Sequence, residues 1–243
     1  MLRSLARKIS SKGFEGPFYS GVRGKLRFAI ESTLARSDLI FIATPESFAA
    51  VAPATQPRIL LFHTRSFDDV EQFRSTLDAE YYPGYLDTWR APFGWGEELV
   101  VAMRDNRPVG FAWVQYGGLA GFPTYYGVLY SGEARILRVG VPPSCRRQGI
   151  NTAMLYGVLS YLFSLGVSRA FIECHKLNLP SVRTFIRVGY SPTALITVVE
   201  CPGVRGFIRW SGVNSVAEAL RHIGVELPPR VRNNRFDLAK PAT

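Results

Sequence analysis

Arg146, Arg147, Gln148, Gly149, Ile150 and Asn151 lie between an apolar run at residues 136–141 and a stretch at residues 153–165 with helical spacing. A strand that breaks into a basic, glycine-containing turn and then into a helix gathers backbone N–H groups and a positive helix end at one point, which suits a phosphate. Gly149 permits close approach because it lacks a Cβ, and Arg146 or Arg147 adds a charged donor. Helix-end attraction alone contributes about 0.3 to 1 kcal/mol, so fixed amides must do most of the binding. A second cluster, Asn178, Leu179, Pro180 and Ser181 with Phe185, Gly189 and Tyr190, follows downstream. Just before it stand Glu173 and His175, two proton-accepting groups that the two-residue strand period puts on one face.

These groups need a scaffold, and the chain between residues 58 and 211 reads as one. A strand is expected through Phe62, then a helix opened by Ser66 with Asp69 three residues on, then an apolar strand at residues 99–103 turned by Asp105 and Asn106. A strand at residues 109–116 completes the hairpin, and the Gly-rich stretch 117–127 separates it from the strand ending at Val141. Met154, Leu155, Val158, Leu159 and Leu162 line one face of the helix after the basic turn, with Gly166 as its left-handed terminator. Residues 170–175 form the next strand, and Pro180 sits in the first turn of a helix closed by Gly189. Residues 193–200 and 204–210 read as a terminal hairpin across Pro202 and Gly203.

Ahead of this region, Val22, Leu26, Ile30 and Leu34 predict a helix before a short strand at residues 39–43, and Pro45, Pro53 and Pro57 predict a linker. The chain thus divides into a basic helical extension (1–57), a main domain (58–211) and a short helix near residues 216–222 with a tail (212–243). The net charge of +10 is uneven, because residues 1–37 carry eight basic and two acidic side chains. Leu2, Leu5 and Ile9 among Arg3, Arg7, Lys8 and Lys12 could serve an acidic partner or a membrane surface, or could simply be a solvated face. No motif beyond charge supports nucleic-acid binding. Cys145, Cys174 and Cys201 lack disulfide-framework or metal spacing, so no metal is expected and a reducing cytosol fits. No run reaches the roughly 18 to 20 apolar residues of a spanning helix.

The two clusters resemble the GNAT superfamily of acyl-CoA N-acyltransferases. Its pyrophosphate motif, Arg/Gln-x-x-Gly-x-Gly/Ala after a strand ending in Val-x-Pro, is met by Val141, Pro142, Pro143, Arg146 and Gly149, with Asn151 in place of the last Gly or Ala. Its later pattern, Asn-x-x-Ala/Ser, an aromatic and Gly-Phe/Tyr, is met by Asn178, Ser181, Phe185, Gly189 and Tyr190. The resemblance covers residues 133–190, with a weaker extension to about 58 and 210. It implies an α/β GNAT fold, a mixed, mostly antiparallel twisted sheet flanked by helices.

The same resemblance implies acetyl-CoA or another acyl-CoA as donor, bound by Val139, Val141, Arg146, Arg147, Gln148, Gly149, Ile150, Asn151, Thr152, Asn178, Ser181 and Phe185. An N–H near Val139 would polarise the thioester carbonyl. Glu173 stands five residues before the motif asparagine, the spacing of the proposed base in ribosomal-protein alanine acetyltransferases; His175 is the runner-up and Glu133 the third candidate. Where relatives often carry a tyrosine that protonates the leaving thiolate, this chain has Phe185, which cannot donate a proton. Water, Tyr190 or another hydroxyl would substitute, or the thiolate, with a pKa of about 8.5, would leave unassisted.

Tyr81, Tyr82, Tyr85, Trp89, Phe93 and Trp95 form one aromatic group, and Trp113, Tyr116, Phe122, Tyr125, Tyr126 and Tyr130 a second, read mostly as packing and otherwise as an acceptor pocket. Three functions stay open: N-acyl transfer to a small-molecule amine or amino sugar, transfer to a protein or peptide, and a non-catalytic acyl-CoA sensor. The first leads.

Overall fold

The computed structural model describes residues 35–51, 57–117, 129–199 and 207–211. The two helices expected within residues 1–34, the short helix near 216–222, and the aromatic residues Phe122, Tyr125 and Tyr126 lie outside them. The described strands are β1 (Ala35–Ala43), β2 (Leu60–Thr64), β3 (Glu98–Arg104), β4 (Arg107–Tyr116), β5 (Glu133–Gly140), β6 (Arg169–His175), β7 (Ser191–Val199) and β8 (Phe207–Ser211). They form one sheet in the order β2-β3-β4-β5-β6-β1-β7-β8, with every pair antiparallel except β5 and β6. The mixed, mostly antiparallel sheet that the resemblance implied is therefore present.

Alternation along the strands sends side chains to two separate layers. Val100, Ala102, Ala112, Val114, Ala134 and Ile136 meet the helix α4 (Ile150–Ser164), whose Met154, Leu155, Val158, Leu159 and Leu162 are fully buried. Val182 and Phe185 of α5 (Leu179–Arg187) join the same layer. On the opposite face Leu99, Val101, Phe111 and Trp113 pack under a run of short helices: 3-10 turns at Asp68–Phe73 and Tyr85–Trp89, α2 (Arg74–Glu80) and α3 (Arg90–Gly94). Ser66 stands one residue ahead of the N-cap, and its hydroxyl accepts from Asp68 N–H at 3.3 Å. The run begins as a 3-10 turn with Phe67 at its N-cap, and the Asp69 carboxylate accepts from the Thr64 hydroxyl at 2.5 Å.

Residues 35–43 correct the expected domain boundary. The strand is longer than residues 39–43 and lies between β6 and β7, pairing with both. Leu39, Phe41 and Ala43 are 0% exposed and Ile42 1%, so the run is buried on both faces as a central strand must be. A cut at residue 57 would remove the middle of the sheet. Pro45 does not continue a linker; it opens α1 (Pro45–Ala49), where its missing N–H is harmless and Thr44 forms a capping box with Ser47.

Local signals fixed other elements as expected. Asp105 and Asn106 both take left-handed angles in a two-residue turn between Arg104 and Arg107, the mirror-image geometry that matches strand twist. Gly166 at φ +82° follows α4, and β7 and β8 form the terminal hairpin with Val199 opposite Phe207.

Near the C-terminal end of α4, Glu98 collects a ring of donors. His63 Nδ1 lies 2.9 Å from Oε1, while the Tyr116 hydroxyl (3.0 Å) and Arg65 (3.2 Å) donate to Oε2. Burial alone would raise this carboxyl, but these donors outweigh it and hold it below its ordinary value. A lowered folded-state value stabilises the protein above the unfolded-state value of about 4.3 and loses that contribution as pH falls through the folded one. Urea midpoints of wild type and Glu98→Gln should therefore differ most at about pH 5 to 7 and converge only as pH falls through the lowered folded-state value. For β1, Phe41 meets the Phe185 ring edge-on at 5.3 Å, and Phe41→Ala should cost about 3 to 5 kcal/mol in denaturant unfolding.

Candidate active site

After Ile136 the strand β5 leaves its parallel partner. The ladder to β6 runs from Glu133 opposite Arg169 to Ile136 opposite Ile172, whereas β5 continues to Gly140 and β6 to His175. On its other edge β5 stays with β4, but the register shifts between Phe111 and Trp113 and Arg138 takes φ +49°. This is a bulge, with an extra residue on β5 that bends the strand. Gly140 completes the bend, since a Cβ there would collide with the Phe111 ring. The C-terminal part of β5 thus turns an edge toward the gap beside β6, and Val139 and Val141, both half-buried, lie along it.

The turn that follows brings the predicted phosphate-binding residues together. A short 3-10 turn, Pro143–Cys145, leads to Arg146 in extended conformation, Arg147 at φ +63° and Gly149 at φ +75°. Gly149 is the N-cap of α4 and supplies no side-chain cap, while Ala153 N–H bonds to its carbonyl at 3.0 Å. The N–H groups of Ile150, Asn151 and Thr152 precede the first such bond and have no carbonyl within the helix to pair with. Arg146, Arg147, Gln148 and Gly149 are exposed, and buried Ile150 anchors the helix start in the core. Arg146 Nε donates to the Val141 carbonyl at 3.2 Å. Gln148 donates to the Ser144 carbonyl at 3.1 Å and accepts from Arg104 at 2.8 Å, so its side chain braces the turn. Asn151 Oδ1 is buried without a hydrogen-bond partner among the described residues.

The second cluster sits at the start of α5. Asn178 Oδ1 accepts from Ser181 N–H at 3.4 Å, a helix cap, and Asn178 N–H donates to the His175 carbonyl at 2.8 Å. Phe185 is 3% exposed and packs between Phe41 and Tyr190. The Tyr190 hydroxyl is buried with no hydrogen-bond partner among the described residues, and burial, aided by the Glu173 charge, pushes its phenol well above its ordinary value. Its proton is therefore retained.

Glu173 is engaged on both oxygens. Arg135 Nε donates to Oε2 at 3.0 Å and its terminal nitrogen to Oε1, with the Arg135 side chain 8% exposed and that of Glu173 15%. His175 Nδ1 accepts from Leu177 N–H at 3.3 Å, so in the neutral ring Nε2 carries the proton. Glu133 pairs with Arg169. A third pair escaped the sequence reading: Glu97, 4% exposed, accepts from Arg138. Strand alternation from Leu99 would have put Glu97 on the face with Trp113, but nothing in the sequence names its partner.

Most of the first aromatic group is packing. Tyr81 stacks on Tyr85 at 4.2 Å, Trp89 meets Phe111 and Phe93 meets Trp113, whereas Tyr82 and Trp95 remain 52% and 43% exposed. Among the described residues no group of three His, Cys, Asp or Glu could hold a metal, and no helix is long and apolar enough to cross a membrane.

The model of the Acetyltransferase (GNAT) family matches residues 66–190, just over half of the chain. The chain belongs to this family. Among solved structures, a GCN5-related N-acetyltransferase from Kribbella flavida is 17% identical over 74% of this chain and 64% of that one, with a TM-score of 0.47. A GNAT-family acetyltransferase from Colwellia psychrerythraea is 11% identical over 71% and 59%, also at 0.47. A GCN5-related N-acetyltransferase from Sphaerobacter thermophilus is 14% identical over 79% and 57%, at 0.45. The chain therefore spans less than two thirds of each of these three relatives. No curated protein matches it significantly.

The GNAT turn yields a direct test at Gly149. A Cβ there would sit 3.5 Å from Pro57, an ordinary contact, so space does not forbid a side chain. The positive φ does, because a branched residue costs about 1 to 2 kcal/mol there and projects at the open helix start. Gly149→Val should lower acetyl-CoA affinity by tenfold or more in calorimetry while circular dichroism shows a retained fold; equal affinities would remove the turn from donor binding.

Proposed function

We propose that this chain transfers an acetyl group from acetyl-CoA, or an acyl group from another acyl-CoA, to the primary amine of a small molecule or amino sugar by direct attack. The observation that carries the reading is the convergence of the open α4 start and the gap beside β5 at one end of the sheet. The N–H groups of Gly149, Ile150, Asn151 and Thr152 with Arg146 and Arg147 would hold the pyrophosphate, and Val139 and Val141 would pair with the pantetheine arm as a further strand. Asn178, Ser181 and Phe185 would border the same arm from α5. An N–H at Val139 would receive the charge that develops on the acyl oxygen.

The acceptor must present a neutral nitrogen, because an ammonium has no lone pair. Its lone pair forms the new C–N bond, the C–S bond breaks with its pair on sulfur, and the excess proton leaves the nitrogen. Glu173 is the proposed proton acceptor, directly or through water. The Arg135 guanidinium leaves other lone pairs of the carboxylate available and fixes its direction. His175 is the alternative base. The thiolate takes its proton from water or leaves without one, because the buried Tyr190 hydroxyl holds its own.

A non-catalytic acyl-CoA sensor is the second reading. It draws on the bidentate capture of Glu173 by Arg135 and on the apolar Phe185 at the position that often supplies an acid. Free-thiol release from acetyl-CoA with a panel of small amines, amino sugars and peptides separates the two. Glu173→Gln should lower turnover about a hundredfold with acetyl-CoA affinity unchanged, measured well below a melting point that should also fall because Arg135 loses its charge partner. Unaltered turnover would transfer the role to His175, and no thiol release with any amine would favour the sensor.

A further inference from the structure

Arg138 occupies a position that a side chain normally avoids. Its φ of +49° belongs to the left-handed region, at the bulge where β5 turns away from β6. Such strain in a non-glycine residue persists where surrounding structure enforces it, and it concentrates at ligand sites. The enforcement here is visible. Buried Glu97 grips one terminal nitrogen of the guanidinium from the position just before β3, and the guanidinium carbon lies 5.3 Å from the Trp95 ring centre and 6.0 Å from that of Trp113.

Among the described residues, the grip leaves most of the fork without an acceptor. A guanidinium carries five N–H donors, and Glu97 is the hydrogen-bond acceptor found for one of them. The Arg138 side chain is nevertheless 40% exposed, beside the Trp95 indole at 43%. A fixed, planar donor set open to solvent on one side matches a carboxylate, which it can bind through two parallel N–H bonds. The bulge adjoins Val139, so a group held here would sit next to the acyl carbon under the acetyl-transfer reading, on which this inference rests.

We infer that Arg138, positioned by Glu97, is a specificity-determining residue that binds the carboxylate of the acceptor, and that the acceptor is an α-amino acid. Nearby charges fit an incoming anion. The two other pairs on this face, Arg135 with Glu173 and Arg169 with Glu133, balance each other, and burial raises the Glu97 carboxyl despite the opposing pull of Arg138 and Arg135.

The test uses the full chain, with and without saturating coenzyme A, titrated calorimetrically with phenylalanine and with phenethylamine, the same amine lacking the carboxylate. Wild type should favour phenylalanine by ten- to a hundredfold, roughly the worth of charge-assisted hydrogen bonds. Arg138→Gly suits the bulge angle and should abolish that ratio while coenzyme A still binds. Because this change strands the Glu97 carboxyl, the double variant with Glu97→Gln serves as a second test and should show the same loss. In parallel, kcat/KM for acetyl transfer to the two amines should follow the same ratio. Undetectable phenylalanine binding, equal affinities in wild type, or a ratio that survives both variants would overturn the inference. Selective phenylalanine binding without thiol release would uphold the Arg138 site and defeat the transferase reading, so the two ideas fail separately.

Discussion

The parallel ladder between β5 and β6 stops at Ile136 and Ile172, and the rest of the candidate site depends on that break. A flat continuation would pair every N–H and C=O of β5 with a neighbour and leave no edge for a ligand. Instead the bulge at Arg138 bends β5 while β4 holds its other side, and Gly140 lets the strand close over the Phe111 ring. The same bend aims the following turn, so the open start of α4 lies at the end of the gap it creates. Ile150, Met154 and Leu155 lock that helix into the core, which makes the direction of its first N–H groups a property of packing.

Charge organises the face of the sheet that the gap opens onto. Glu133 with Arg169, Arg135 with Glu173, and Glu97 with Arg138 each join two strands or a strand and the residue before one. Buried ion pairs add little net stability, because desolvation offsets most of their attraction, but removing one partner leaves a costly isolated charge. Their value here is directional. A carboxylate held by two guanidinium nitrogens cannot rotate freely, so Glu173 presents fixed lone pairs, and Arg138 held by Glu97 presents fixed donors. The buried aromatic layer of Trp89, Phe93, Phe111 and Trp113 borders the last of these pairs, with the Arg138 guanidinium 6.0 Å from the Trp113 ring centre, and its low dielectric strengthens that interaction.

How much of this was legible in the sequence varies with the distance over which the deciding interaction acts. Gly149, Gly166, Gly189 and the Asp105–Asn106 turn announced themselves, because each reflects a backbone angle set within a few residues. The helical face of α4 followed from spacing, and the Asn178 cap followed from a motif whose hydrogen bond spans three residues. The opening of the helix run at Ser66 lies within one residue of the observed N-cap, whereas the Asp69 carboxylate takes its donor from Thr64 of the preceding strand.

The sequence by itself determined the strand and helix order from residue 58, the glycine-containing turn that opens α4 and the order of the two motifs, since these rest on local angles and on period. Only the tertiary structure decided that residues 35–43 form a central strand, that Arg135 captures Glu173, that Phe185 is core, and that Arg138 is a bulge held by Glu97. Strand period reveals which face a residue occupies but not which strand lies beside it. Neighbours in a sheet are chosen by burial of both faces across the whole chain, and an ion pair such as that of Glu97 and Arg138, 41 positions apart, exists only after that choice is made.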